Sequence, residues 1–180
     1  MTSSVASPVT IRDCVEADIA AVTEIYRYHV EFGTASFETE APSEDEMLRR
    51  FNILKQGNYP YFVAELNGAI AGYAYAGAFR PRPAYGATVE DSIYVDETKR
   101  GHGIGIQLLD KLVESCTALG FRQMVAVIGD SANLGSVNVH RKAGFEMIGT
   151  LKSTGWKHGK WLDTVLMQRS LGEGDETPRF

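Results

Sequence analysis

The chain has 180 residues, a length suited to one folded domain with a sizeable core. Its 44% hydrophobic and 23% charged residues match an ordinary globule, and a formal charge of −5, from 18 Lys+Arg against 23 Asp+Glu, argues against a protein built to neutralise a phosphate backbone. Two cysteines, Cys14 and Cys116, make neither a disulfide framework nor a CxxC metal pair, and no apolar run approaches the roughly 18 residues of a membrane span.

A reduced, cytoplasmic setting is therefore expected, with no nucleic-acid or membrane partner. Met1–Thr10 lacks the basic start and apolar core of a leader peptide. Residues 1–8 and Gly172–Phe180 read as frayed ends of a single domain over residues 1–180. No segment repeats with a period of about 20–50 residues, which excludes solenoids and propellers.

Val9–Asp13 alternates and is β-branched, a short first strand. Ala17–Val30 sets Ile19, Val22, Ile25, Tyr26 and His29 at helical spacing, with His29 a core residue. Gly33 stops that helix, and Thr34–Glu40 reads as an extended loop. Ser43-Glu-Asp-Glu46 is a capping box for a second helix running to Gln56. Tyr61–Leu66 and Ala69–Tyr75 form a hairpin about Asn67-Gly68, whose residues supply the two positive φ angles of a type I′ turn. Two prolines leave Arg80–Gly86 as a loop, and Thr88–Val95 resumes as a strand. Ile104–Leu119 buries Leu108, Leu109, Leu112, Val113 and Cys116 on one helical stripe. Met124–Ile128 is a strand buried on both faces, Asn133–Ala143 a short helix closed by Gly144, and Phe145–Leu171 two strands around Gly155–Lys160. The order βααβββαβαββ predicts an α/β (α+β) layer with a mixed sheet.

The stretch that carries chemistry is Val95–Gly105, a strand, a glycine-rich turn and a helix start. Glycines there let backbone N–H groups approach an anion closely, and Arg100 adds a positive charge. Phosphate or pyrophosphate binding follows, though such a loop also serves merely to turn a chain. A P-loop reading fails because Gly105-Ile-Gln107 lacks the Gly-Lys-Ser/Thr ending. A dinucleotide fingerprint fits poorly, since the turn lies far from the N-terminus and Asp130 falls too far beyond it. No pair of histidines has metal-ligand spacing, so no metal is expected.

With its surroundings, the stretch resembles the GNAT superfamily of acyl-CoA N-acyltransferases. Arg100-x-x-Gly103-x-Gly105 is similar to that family's pyrophosphate loop, and Asn133-x-x-Ser136-x-x-x-His140-x-Lys142-x-Gly144-Phe145 to its second cofactor segment. The resemblance covers Val9 to Leu171. Gly33–Glu40, Phe79–Arg82, Tyr85, Thr88-Val-Glu90, Ile128–Asp130 and Gly159–Asp163 together resemble the phosphinothricin and methionine sulfoximine N-acetyltransferase subfamily. One departure is His140, where many members of the superfamily place a tyrosine as general acid.

The resemblance implies a mixed sheet whose fourth and fifth strands splay apart, with flanking helices. Acetyl-CoA is the implied co-substrate, its pantetheine arm pairing with backbone groups of Ile93, Tyr94 and Val95. Its pyrophosphate would lie on the amides of Arg100, Gly101, His102, Gly103, Ile104 and Gly105, with Asn133 and Ser136 on the other side. Glu90 is the implied base for the attacking amine. Asp91 points to the opposite face by period two. His140 is either a proton donor to the leaving thiolate or a packed helix residue. Phe37, Arg80, Arg82 and Tyr85 are the candidate contacts to a small amino-acid-like substrate, the arginines gripping a carboxylate or standing as solvated loop charges. No cysteine lies in a motif, which favours direct transfer. The alternatives are an acetyltransferase for another amine, such as a polyamine, an aminoglycoside or a protein N-terminus, or a non-catalytic CoA-binding protein. A homodimer is implied, with Phe37, Trp156 and Trp161 as contacts, although the two tryptophans also suit plain packing.

Overall fold

A computed structural model describes residues 8–178, so the expectation for the first seven residues lies outside the described residues. The strands and helices follow the predicted order: β1 (Thr10–Asp13), α1 (Ile19–Glu31), α2 (Glu44–Gln56), β2 (Tyr61–Leu66), β3 (Ala69–Ala78), β4 (Thr88–Val95), α3 (Ile104–Ala118), β5 (Gln123–Gly129), α4 (Leu134–Lys142), β6 (Glu146–Lys157) and β7 (Lys160–Ser170). They build one mixed sheet in the order β1-β2-β3-β4-β5-β7-β6. Among the described residues only β4 and β5 pair in parallel, as the long connection through α3 demands. Among the described residues, no helix is long and apolar enough to cross a membrane.

Strand alternation sorts side chains between two layers. In β2, Tyr61 and Val63 join Val22, Tyr26 and Phe51 of α1 and α2, while Phe62 and Ala64 join Leu108, Leu109 and Leu112 of α3. Burial on both faces explains the nearly unbroken apolar run of β2. The three leucines are fully buried, and each contributes about 1.5–3 kcal/mol by leaving water.

Tertiary packing moved several predicted boundaries. A 3-10 turn at Glu16–Asp18 delays α1 to Ile19, because Asp18 is held in an Arg12 fork at 2.7 and 2.8 Å. β3 runs on to Ala78, past the predicted Tyr75, although glycine and alanine are poor strand formers. Close packing favours small residues along this strand: a Cβ on Gly72 would stand 2.9 Å from the Tyr94 carbonyl, and one on Gly77, in the extension, 3.3 Å from Leu54 Cδ2. Gly155–Lys157 belongs to β6, which leaves His158-Gly159 as the turn, with φ of 50° and 71°. Within residues 171–178 the chain keeps contacts with the domain. Leu171 is buried, and the Arg122 guanidinium donates to Glu173 at 3.3 Å and to Thr177 at 3.1 Å.

Candidate active site

β4 and β5 pair only where Thr88–Asp91 meets Gln123–Ala126. Beyond that, Ser92–Val95 stay with β3 and Val127–Gly129 stay with β7, so a V-shaped gap opens in mid-sheet. Alternation decides which backbone groups face it. Asp96 N–H donates to Ala71 O at 2.9 Å and Phe79 N–H to Thr88 O at 3.4 Å, so even-numbered β4 residues turn their peptide groups toward β3. Ile93 and Val95 therefore direct theirs into the gap. Tyr94 turns its own to β3 and packs its ring edge-on against Tyr26, 5.0 Å between centroids.

The glycine-rich turn closes the wide end of the gap. Gly101 and Gly103 have φ of 84° and 70°, the left-handed region where a Cβ is costly. Gly103 caps α3 without any side-chain acceptor, so the first N–H groups of that helix are left for an anion. Arg100 sits beside them, paired with Glu97 at 2.6 Å. Across the gap, Asn133 caps α4 by accepting from Ser136 N–H at 3.3 Å.

A cavity of about 900 Å³ fills the gap. It brings together Ile93, Tyr94, Val95, Arg100, Gly101, Gly103, Ile104, Gly105, Asn133, Ser136 and His140 from the sequence-predicted set. His102 is exposed outside it, its Nδ1 3.1 Å from the Lys99 and Arg100 carbonyls. Glu90, Phe37, Arg80, Arg82 and Tyr85 do not line it either. The size, the uncapped helix start and the two gap-facing strand residues suit an extended, pyrophosphate-bearing ligand. Among the described residues, no cluster of three His, Cys, Asp or Glu is placed to hold a metal ion.

Glu90 stands one residue before β4 leaves β5, opposite Gly77 of β3, half-buried on the α1 and α2 side. Burial, then the charge of Asp91, raises its carboxyl pKa above the ordinary value, against an opposing pull from Arg80. Arg80 lies over the Phe79 ring at 5.1 Å, and Tyr85 meets the same ring edge-on at 5.8 Å. Arg82 and Tyr85 are exposed in the loop that precedes β4. Thus the arginine field reaches Glu90 through Arg80.

The α1–α2 loop roofs this side. Its Thr34 Oγ1 donates to Asp130 Oδ2 at 2.9 Å, and buried Lys157 donates to Ser36 O at 2.7 Å. Phe37 is seated over two glycines: a Cβ would fall 2.4 Å from its ring at Gly155 and 3.0 Å at Gly129. Phe37 is thereby held against β5 and β6, half-buried. His29 also departs from a plain core role. It lines the cavity, and its Nε2 lies 2.9 Å from Val95 O. Burial pushes its pKa down, so the neutral ring donates from Nε2. Sequence reasoning missed these ties, since neither Thr34–Asp130 nor Lys157–Ser36 leaves a local pattern.

Comparison with known proteins places this geometry. Residues 11–166 match the acetyltransferase (GNAT) domain family. The chain is 46% identical over 168 residues to a phosphinothricin N-acetyltransferase of Alcaligenes faecalis, covering 93% of this chain and 85% of that protein. It is 36% identical to an L-methionine sulfoximine/L-methionine sulfone acetyltransferase of Pseudomonas aeruginosa, covering 94% and 98%. Among solved structures, a GNAT superfamily phosphinothricin acetyltransferase from Sinorhizobium meliloti in complex with acetyl-CoA superposes with a TM-score of 0.92 at 55% identity, covering 94% and 92%.

Proposed function

The chain belongs to the GNAT acetyltransferase family and is an acetyl-CoA-dependent N-acetyltransferase, and from that premise we propose that it acetylates the α-amine of a small amino acid of the phosphinothricin or methionine sulfoximine kind. The observation that carries this reading is a half-buried carboxylate, Glu90, at the point where the gap opens. An amino acid is mostly ammonium at neutral pH, and a carboxylate with a raised pKa is suited to take its proton. The amides from Arg100 to Gly105 hold the pyrophosphate, with Asn133 and Ser136 opposite. The gap-facing groups of Ile93 and Val95 hold the arm, and a β4 N–H steadies the oxyanion. Transfer is direct. Cys14 and Cys116 are buried, do not line the cavity, and have thiol pKa values pushed up to about 12 by burial.

The substrate carboxylate needs charge-assisted donors, and the β3–β4 loop offers Arg80, Arg82 and the Tyr85 hydroxyl. Pro81 and Pro83 restrict the backbone on either side of Arg82, which lowers the entropy cost of presenting it. Thiol release from acetyl-CoA should be fast with methionine sulfoximine and slow with its methyl ester. Arg82→Ala should raise KM for the free acid by roughly ten- to hundredfold, with the acetyl-CoA KM unchanged. Equal rates for acid and ester in the wild type would transfer the activity to simple amines, such as polyamines.

A homodimer belongs to the same proposal. Trp156 and Trp161 meet edge-on at 5.2 Å on the β6–β7 hairpin, 57% and 63% exposed, and Met147, Ile148 and Leu151, farther from the turn along β6, are exposed as well. Light scattering at micromolar concentration should give twice the protomer mass; a monomeric mass removes the dimer.

A further inference from the structure

At the closed end of the gap, Asp91 is the last β4 residue paired with β5, and its side chain turns to the α3 and α4 layer. There its Oδ2 lies 2.9 Å from His140 Nε2. The other ring nitrogen, Nδ1, lies 2.8 Å from the Ser136 carbonyl oxygen. Carboxylate and carbonyl are both acceptors, so a ring that satisfies both donates from both nitrogens, which is the imidazolium. Both side chains are 2% exposed, and both residues line the cavity. The second carboxylate oxygen, Oδ1, is buried with no hydrogen-bond partner among the described residues, so His140 is the cation that answers the charge of Asp91.

We infer that Asp91 is a positioning residue for acetyl transfer: it holds His140 as a fixed imidazolium at the closed end of the gap, facing the charge that develops on the departing sulfur. This rests on the reading that the pantetheine arm fills the gap with its thioester toward that end. The ring serves as a charge rather than as a proton source. Giving up the Nε2 proton would leave buried Asp91 without its donor, and giving up the Nδ1 proton would set a ring lone pair 2.8 Å from the Ser136 carbonyl oxygen, and each is costly in a buried place. In the balanced step the amine nitrogen forms the C–N bond and the C–S bond breaks with its electron pair on sulfur. The ammonium loses one proton before attack and the nitrogen a second as the C–N bond forms, and Glu90 passes both in turn to solvent, ending ionised. The thiolate departs beside the cation and takes its proton from water after release, so His140 ends the cycle as it began.

The Ser136 hydroxyl also approaches Nδ1, at 3.4 Å, but the Ser136 carbonyl oxygen is the nearer partner at 2.8 Å, and the remaining groups around the pair do not compete for this role. Cys116 of α3 has its thiol pushed up to about 12 by burial and then by Asp91, and stays neutral. Glu90 lies on the opposite face of β4, and β5 contributes apolar Ala126 and Ile128. Phe145 meets the His140 ring edge-on at 5.1 Å. Arg141 and Lys142 of α4 are exposed. Burial by itself lowers the His140 pKa; the charge and hydrogen bond of Asp91, with the Ser136 carbonyl, outweigh it and leave the pKa raised. A raised value means the cation is present at neutral pH and is lost only as pH rises through it.

Two measurements on the full-length protein test this. The first follows the Cε1 proton of His140 by NMR in wild type and Asp91→Asn, with His140→Gln to assign it. The second is kcat against pH at saturating acetyl-CoA and acceptor. The wild-type ring should remain imidazolium through neutral pH, and Asp91→Asn should titrate about one or more pH units lower. The alkaline limb of kcat should move down with it, so that the variant loses roughly tenfold above its own pKa and little below, with KM for acetyl-CoA unchanged. His140→Gln should lose kcat at every pH at which the wild-type ring is imidazolium, with the deficit closing as pH rises through that ring's pKa, and adding Asp91→Asn should cost little more. A neutral ring in the wild type at pH 7 overturns the inference even if the variant fails to fold. So does an Asp91→Asn loss that is constant with pH or confined to KM. Failure of Glu90 as base would show separately, on the acid limb of the profile.

Discussion

Gly103→Glu should abolish acetyl-CoA binding while the fold survives. Gly103 has φ of 70° as the residue capping α3, so any side chain there costs about 1–2 kcal/mol of stability. Space is not the obstacle, because a Cβ would meet only Gln107 Nε2, at 3.7 Å. The loss comes from charge. A carboxylate placed at the uncapped helix start takes the N–H groups that should receive the pyrophosphate and repels the phosphates as well. Each charged hydrogen bond lost is worth about 1.5–3 kcal/mol, so affinity should fall by roughly a hundredfold or more. Gly103→Ala carries the backbone cost without the charge and should keep affinity within about tenfold. Calorimetric titration with circular dichroism separates the two. Undiminished binding by the glutamate variant would remove the pyrophosphate from this loop.

The second large effect is expected at the base. Glu90→Gln should lower kcat by about 10²–10⁴-fold at neutral pH with acetyl-CoA affinity nearly intact. A carboxylate acts as base only when ionised, and burial holds the pKa of Glu90 above the ordinary value. The wild-type rate should therefore fall as pH drops through that raised pKa. The deficit of the variant should shrink as pH rises, because the amine then loses its proton to solvent. Wild-type turnover by Glu90→Gln at pH 7 would exclude it from the mechanism.

Much of the scaffold was legible because the signals are local. Ser43 Oγ accepts from Glu46 N–H at 3.2 Å, as the capping box predicts, although Glu46 spends its own carboxylate on Arg49 and Arg50 at 2.7 and 2.8 Å. Asn67 and Gly68 take φ of 54° and 76°, and the hairpin follows. The leucine stripe of α3 lies inward as its spacing requires. The glycine-rich turn was legible for the same reason. Where the chain needs positive φ or unshielded N–H groups, glycine has to appear in the sequence itself.

What local pattern does not carry is which strand lies beside which. Period two placed Asp91 opposite Glu90, yet its partner His140 lies 49 residues away and is reached only because α4 packs over the β4–β5 junction. Lys157 finds the Ser36 carbonyl across 121 residues, and Phe37 finds Gly155 and Gly129 from a loop that reads merely as extended. The sheet order β5-β7-β6, and the early end of β4–β5 pairing at Asp91, likewise have no signature in any one segment. The sequence by itself determined the elements, their buried faces and the glycine-rich turn before α3, because dihedral preference and periodicity act over a few residues. The tertiary structure decided the gap, the buried ion pair and the roof of the acceptor side, because these depend on the free energy of long-range packing, to which no short window of residues has access.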